Sequence, residues 1–114
     1  MSIVKGKMLL FSSESLGYGD AIIGYEVLAT LFEILLRKEE LPEFIIFVNT
    51  GVKICAEDSP MLPRLKRIEE RGVKIRCGRF CVSELELKDK IAVGEVTPLG
   101  EIYDLFLQND VISM

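Results

Sequence analysis

The sequence contains no histidine. That absence removes Ser-His-Asp and Cys-His triads and every His-ligated metal site. Cysteine is sparse and odd in number, three in 114 residues, which is not the disulfide framework of a small secreted domain. No run of like charge occurs, and 14 Lys and Arg stand against 18 Asp and Glu, a net charge of −4. A nucleic-acid-binding module would normally show a basic face, so no nucleic-acid partner is expected. No apolar stretch reaches membrane-spanning length, and the N-terminus lacks the apolar run of a signal peptide. The expectation is a cytoplasmic protein without a membrane partner. Paired carboxylates suited to acid–base work are also missing.

What is present is enough to fold. Hydrophobic residues make up 49% of the chain and charged residues 28%, so a core can form. The length leaves room for one core, and one domain over residues 1–114 is expected. Chemistry must then come from thiols, carboxylates, hydroxyls, Lys, Arg, Tyr or the backbone.

Short apolar runs alternate with helical segments. Met8-Leu9-Leu10-Phe11 reads as a strand buried on both faces, followed by a polar loop over residues 12–20. Asp20 is placed to cap a helix running to about Lys38. Phe44-Ile45-Ile46-Phe47-Val48 is a second buried strand, closed by Asn49-Thr50-Gly51. A helix starting at Ser59-Pro60 or Leu62-Pro63 ends near Gly72, and Val73-Lys74-Ile75-Arg76-Cys77 is a third strand. A short helix carrying Leu85 and Leu87 is expected after Cys81, and Ile91-Ala92-Val93-Gly94 reads as a fourth strand. Thr97-Pro98 opens a helix to about Asn109, before a terminal edge strand at Val111-Ile112-Ser113-Met114. This order implies an α/β fold: a five-stranded, mainly parallel sheet with helices on both faces.

Ligand sites of such sheets lie beyond the carboxyl ends of the strands, here at residues 12–20, 49–53, 77–83 and 94–97. Cys77-Gly78-Arg79-Phe80-Cys81 falls in the third of these loops. A helix start together with Arg76 and Arg79 favours a thiolate, the nucleophilic form. The competing reading is that both thiols pack as small apolar groups. A metal site is not expected, since two cysteines with a three-residue spacer and no histidine make a poor zinc set. Cys55, early in an expected helix, reads as structural.

Lys53, after Asn49, could hold an anionic sulfur by charge or simply be solvated. Gly17-Tyr18-Gly19-Asp20 fails as a dinucleotide fingerprint and reads as a turn. From Ala21 to Leu36, twelve of sixteen residues are apolar, leaving Gly24, Glu26, Thr30 and Glu33. A helix so short of polar positions needs a cover on its second side, from this chain's C-terminal helix or from another subunit. The mean hydropathy of +0.30 points the same way, toward a homo-oligomer.

Three strings carry a family resemblance. Leu16-Gly17-Tyr18-Gly19-Asp20, then Leu41-Pro42 leading into Phe47-Val48-Asn49-Thr50-Gly51-Val52-Lys53, resemble the DsrE/DsrF-like sulfur-relay family. Leu87-Lys88-Asp89-Lys90-Ile91-Ala92-Val93-Gly94-Glu95-Val96-Thr97 narrows this to the C-terminal DsrE-like half of YedF-type proteins, linked to sulfur transfer and selenium metabolism. Such proteins also carry a TusA-like domain, which these 114 residues do not include. The family pattern Cys-Gly-x-Cys is one residue longer here. Counting from the strand matches Cys77 to the sulfur-carrying position, and counting back from Leu87 matches Cys81 to the second cysteine.

The resemblance implies a small sulfur (or selenium) carrier, a sulfurtransferase-like protein without a cofactor. Cys77 and Cys81 would be its reacting thiols, with Asn49, Lys53, Gly78 and Arg79 beside the substrate. Donor and acceptor proteins or small persulfides would be the partners. The alternative is a non-catalytic oligomeric binding subunit with incidental thiols.

Overall fold

A computed structural model describes residues 2–114. Five strands, β1 (Ser2–Phe11), β2 (Glu40–Phe47), β3 (Lys74–Gly78), β4 (Glu95–Thr97) and β5 (Asp110–Ser113), form one sheet in the order β4-β3-β2-β1-β5. Every pairing between them is parallel. The helices are α1 (Ala21–Arg37), α2 (Leu62–Glu70), α3 (Arg79–Glu84) and α4 (Leu99–Gln108), and a 3-10 turn spans Asn49–Cys55.

The alternation of side chains along β1 and β2 divides the core in two. Leu9 and Phe11 with Ile45 and Phe47 face α1, α2 and the 3-10 turn; Met8 and Leu10 with Phe44 and Ile46 face α4. Helices therefore cover both faces of the sheet, as expected. On the first face Phe11 stacks on Phe47 at 5.5 Å between ring centres, and Phe32 of α1 meets both rings edge-on at 5.6 and 6.3 Å.

Helix α1 starts where its cap stands. The Asp20 carboxylate accepts from the Ile22 and Ile23 backbone N–H groups at 2.9 Å each. Its other end is closed from the residue that follows α2: the Arg71 guanidinium donates to the carbonyls of Leu36 at 2.8 Å and Lys38 at 2.6 Å. These carbonyls have no intrahelical donor, so the arginine fills the role a C-terminal cap would.

Four expected boundaries are corrected. β1 begins at Ser2 instead of Met8, because a bulge between Val4 and Met8 lets the Gly6 N–H turn to the Glu43 carboxylate at 2.9 Å and the pairing resume. β2 begins at Glu40; Pro42 is tolerated since pairing with β3 starts only at Phe44. The short helix α3 starts at Arg79 and contains Cys81, instead of following it.

The fourth strand is Glu95–Thr97, not residues 91–94. Ile91 makes an isolated antiparallel bridge to Ala56, and the Ala92 N–H donates to the Cys55 carbonyl at 2.8 Å. The apolar run thus lies over the end of the 3-10 turn rather than in the sheet, with Val93 buried. Gly94 then turns the chain at φ 79°, where a Cβ would lie 2.8 Å from the Ile75 carbonyl oxygen. Only after that close passage does the chain pair with β3. Residues 94–97 accordingly lead into and form an edge strand and are not a loop at the carboxyl edge.

Candidate functional site

The carboxyl ends of β1, β2 and β3 bring three chain segments together. The 3-10 turn is drawn onto the end of β1: the Val48 N–H donates to the Phe11 carbonyl at 3.0 Å, and a Cβ on Gly51 would sit 2.8 Å from that same oxygen. Glycine at 51 is what allows the approach. The turn opens at Asn49, whose φ of 52° is unusual for a residue with a side chain and aims its backbone N–H along the sheet edge. That N–H donates to Cys81 Sγ at 3.0 Å.

Cys81 is the third residue of α3 and half-buried. Gly78 caps the same helix, and a Cβ there would lie 3.7 Å from Cys81 Sγ. The thiol, an amide donor from a neighbouring segment and a residue without a side chain thus meet at one point. Such a donor suits a sulfur that carries negative charge.

Cys77 is placed differently. As the fourth residue of β3 it shares the face of Ile75, and it is fully buried in the same cluster as Cys55. A side-chain hydrogen bond with Cys77, then burial, holds the Cys55 thiol well above its ordinary pKa. Cys55 therefore stays protonated, which fits the structural role expected for it; it ends the 3-10 turn instead of starting a helix.

Lys53 and Arg79 point to separate depressions. Lys53 Nζ lies 4.0 Å from Glu14 Oε1 in a cleft of 390 Å³ that also takes in Tyr25, Asp58 and Ser59. Burial first, then the Glu14 charge, raises the Tyr25 hydroxyl above its ordinary value, with Arg64 opposing. Arg79 borders an apolar groove on the far side of α3. Of the six expected site residues, the structure gathers Cys81, Asn49 and Gly78; Cys77 is buried in the cluster against which Cys81 packs, and Lys53 and Arg79 line other depressions. The amide of Asn49 had no signal in the sequence as a sulfur ligand, since every non-proline residue has such a group.

The class is a parallel five-stranded α/β protein with one half-buried thiol at the carboxyl edge. No protein-family model matches this sequence, and no curated protein sequence matches it. Solved structures do. The fold is similar to that of the ychN protein from E. coli, with 13% identity over 95% of this chain and 98% of that one and a TM-score of 0.65. It is similar also to MTH1491 from Methanobacterium thermoautotrophicum, at 11% identity over 95% and 97% of the two chains and a TM-score of 0.70. BT1422 from Bacteroides thetaiotaomicron gives 15% identity, 96% and 95% coverage and a TM-score of 0.62. The last two are described as proteins of unknown function. At these identities the likeness concerns the fold alone.

Proposed function

We propose that the protein is a small cytoplasmic sulfur (or selenium) carrier acting through Cys81. The observation that supports this is the half-buried Cys81 Sγ at the carboxyl edge of the sheet, with the Asn49 N–H donating to it at 3.0 Å. In the proposed step a Cys81 thiolate attacks the outer sulfur of a donor persulfide. One S–S bond forms, the donor's S–S bond breaks, and the donor leaves as a thiolate. An acceptor thiolate then attacks the terminal sulfur of Cys81–S–SH and restores the Cys81 thiolate. The Asn49 amide steadies the charged sulfur, and Gly78 leaves room for the added atom.

Cys77 enters only when the sheet edge opens. Its thiolate then attacks Cys81 Sγ of the persulfide, the Cys77–Cys81 disulfide forms, and hydrosulfide is expelled. Lys53 and Arg79 act at longer range, as positive charge along the approach to the edge.

Intact mass after treatment with polysulfide tests the carrier. The expected result is one added sulfur per chain, removed by dithiothreitol and lost in Cys81→Ser. An unchanged mass in folded wild-type protein, or an adduct that survives Cys81→Ser, refutes the assignment.

The second reading, an assembly subunit, is favoured by a different observation. Ile22, Ile23 and Val27 of α1 are 74%, 61% and 43% exposed. Helix α4 packs on the opposite face of the sheet and leaves them bare. Covering such a face by a like subunit removes apolar surface from water, at roughly 25 cal/mol per Å² before the costs of association. Both readings can hold at once. Light scattering at micromolar concentration is expected to give a multiple of 12.8 kDa; the mass of one chain refutes the oligomer.

A further inference from the structure

On the far side of α3 from Cys81 lies a groove of 660 Å³ between α3, β4 and the start of α4. Its size is within the range of small-molecule sites. Phe80, Val82, Val96 and Leu99 supply apolar walls, and Phe80 and Leu99 are 69% and 63% exposed. The charged residues along it are Arg79 and Lys88, both cations, with no carboxylate among the lining residues. Neither cation belongs to an ion pair among the described residues.

That combination is uneven in a chain of net charge −4. Some cations near the sheet are matched, Arg76 by Glu95 at 3.7 Å, Lys74 by Glu43 at 3.7 Å and Lys53 by Glu14, while among the described residues Lys5 of β1 is not. Here two unmatched positive charges border an apolar cavity. A neutral apolar molecule would use the walls and ignore the cations, and an inorganic anion would do the reverse. A molecule that joins an aromatic or branched aliphatic body to a carboxylate uses both.

We propose that this groove is a binding site for small amphiphilic carboxylates, the body seated between Phe80, Val96 and Leu99 and the acid group held by Arg79 and Lys88. Arg79 offers a planar fork matched to a carboxylate, and Lys88 a mobile point charge. The proposal does not rest on sulfur transfer, in which Arg79 supplies only distant charge: α3 turns Arg79, Val82 and Ser83, spaced as one helical face, to the groove, and Cys81 to Asn49.

The test is a titration of the folded protein with 2-naphthoate and, separately, with its neutral analogue 2-naphthylmethanol, followed by amide chemical shifts. The expected result is saturable change confined to residues 79–83, 88 and 96–99, with the carboxylate bound about tenfold or more tightly than the alcohol. In the Arg79→Gln, Lys88→Gln double variant that preference should vanish while the alcohol binds as before. Equal affinity for the two probes in the wild-type protein overturns the proposal without recourse to any variant. So does the absence of saturation at millimolar concentration, or change centred on Ile22, Ile23 and Val27, which would be adsorption to the bare face of α1.

Discussion

Phe32→Ala is expected to remove about 3–5 kcal/mol of folding stability, the cost of deleting a fully buried phenyl ring. Phe32 has no exposed surface and bridges Phe11 and Phe47, the last residues of the two central strands. Its neighbours cannot close the gap easily. Phe11 and Phe47 are fixed by strand pairing to each other, and Phe11 also carries the carbonyl on which the 3-10 turn rests. A domain of this length has roughly 5–15 kcal/mol in all, so the variant should lose about a fifth or more of it. Urea denaturation measures this, with Phe80→Ala as the internal contrast. Phe80 is 69% exposed, and its loss should stay within about 0.5 kcal/mol. A Phe32→Ala loss under 1 kcal/mol would mean that the aromatic cluster does not join α1 to the sheet.

The second large effect concerns the thiols. In the native protein a disulfide reagent such as dithionitrobenzoate should react quickly with one cysteine per chain and slowly with two. Cys81 is half-buried; Cys55 and Cys77 have no exposed surface. Their modification requires opening of the structure. An opening free energy near the global value of about 5 kcal/mol or more slows it by a factor of about 10³ or more. Cys55 is further retarded near neutral pH, since its raised pKa withholds the thiolate that does the attacking. That brake is released as pH climbs toward the raised pKa. Cys81→Ser should leave no fast thiol, and Cys77→Ser should leave the fast phase intact. Two fast thiols in the wild-type protein would contradict the burial of Cys77.

How much of this was legible varies with the physics behind each element. Helix α1 announces itself because its cap, its apolar length and its basic end are all local signals. Helix α4 is likewise marked by Thr97-Pro98. β4 was misplaced because Ile91-Ala92-Val93 is apolar for another reason: it covers the end of the 3-10 turn, a contact with residues some 35 positions earlier. No local pattern encodes that. The first half of β1 has only Ile3 and Val4 as an apolar pair and is held in the sheet by the pairing of Ser2, Ile3 and Val4 with Glu40, Leu41 and Pro42, before the irregular stretch of Lys5, Gly6 and Lys7. The choice between Cys77 and Cys81 was partly visible. Val73, Ile75 and Cys77 alternate with Lys74 and Arg76, and this period of two groups Cys77 with the core-facing side chains. The outward position of Cys81 depends on where α3 begins, and a six-residue helix leaves little pattern from which to read its start.

The sheet order has a consequence for how the chain is made. β1, β2 and β3 are neighbours both in sequence and in space, so the centre of the sheet can assemble while the chain is still emerging from the ribosome. The second face cannot. Met8, Phe44 and Ile46 wait for Ile102 of α4, and the free edge of β1 waits for β5, which pairs Lys7 with Asp110. Until the segment from Leu99 to Ser113 has been synthesised, a nascent chain exposes an apolar sheet face and the unpaired edge of β1 together. Both are surfaces on which partly folded chains associate. Biosynthesis at high ribosome density should therefore be the condition under which this protein aggregates most, even though its finished fold hides both.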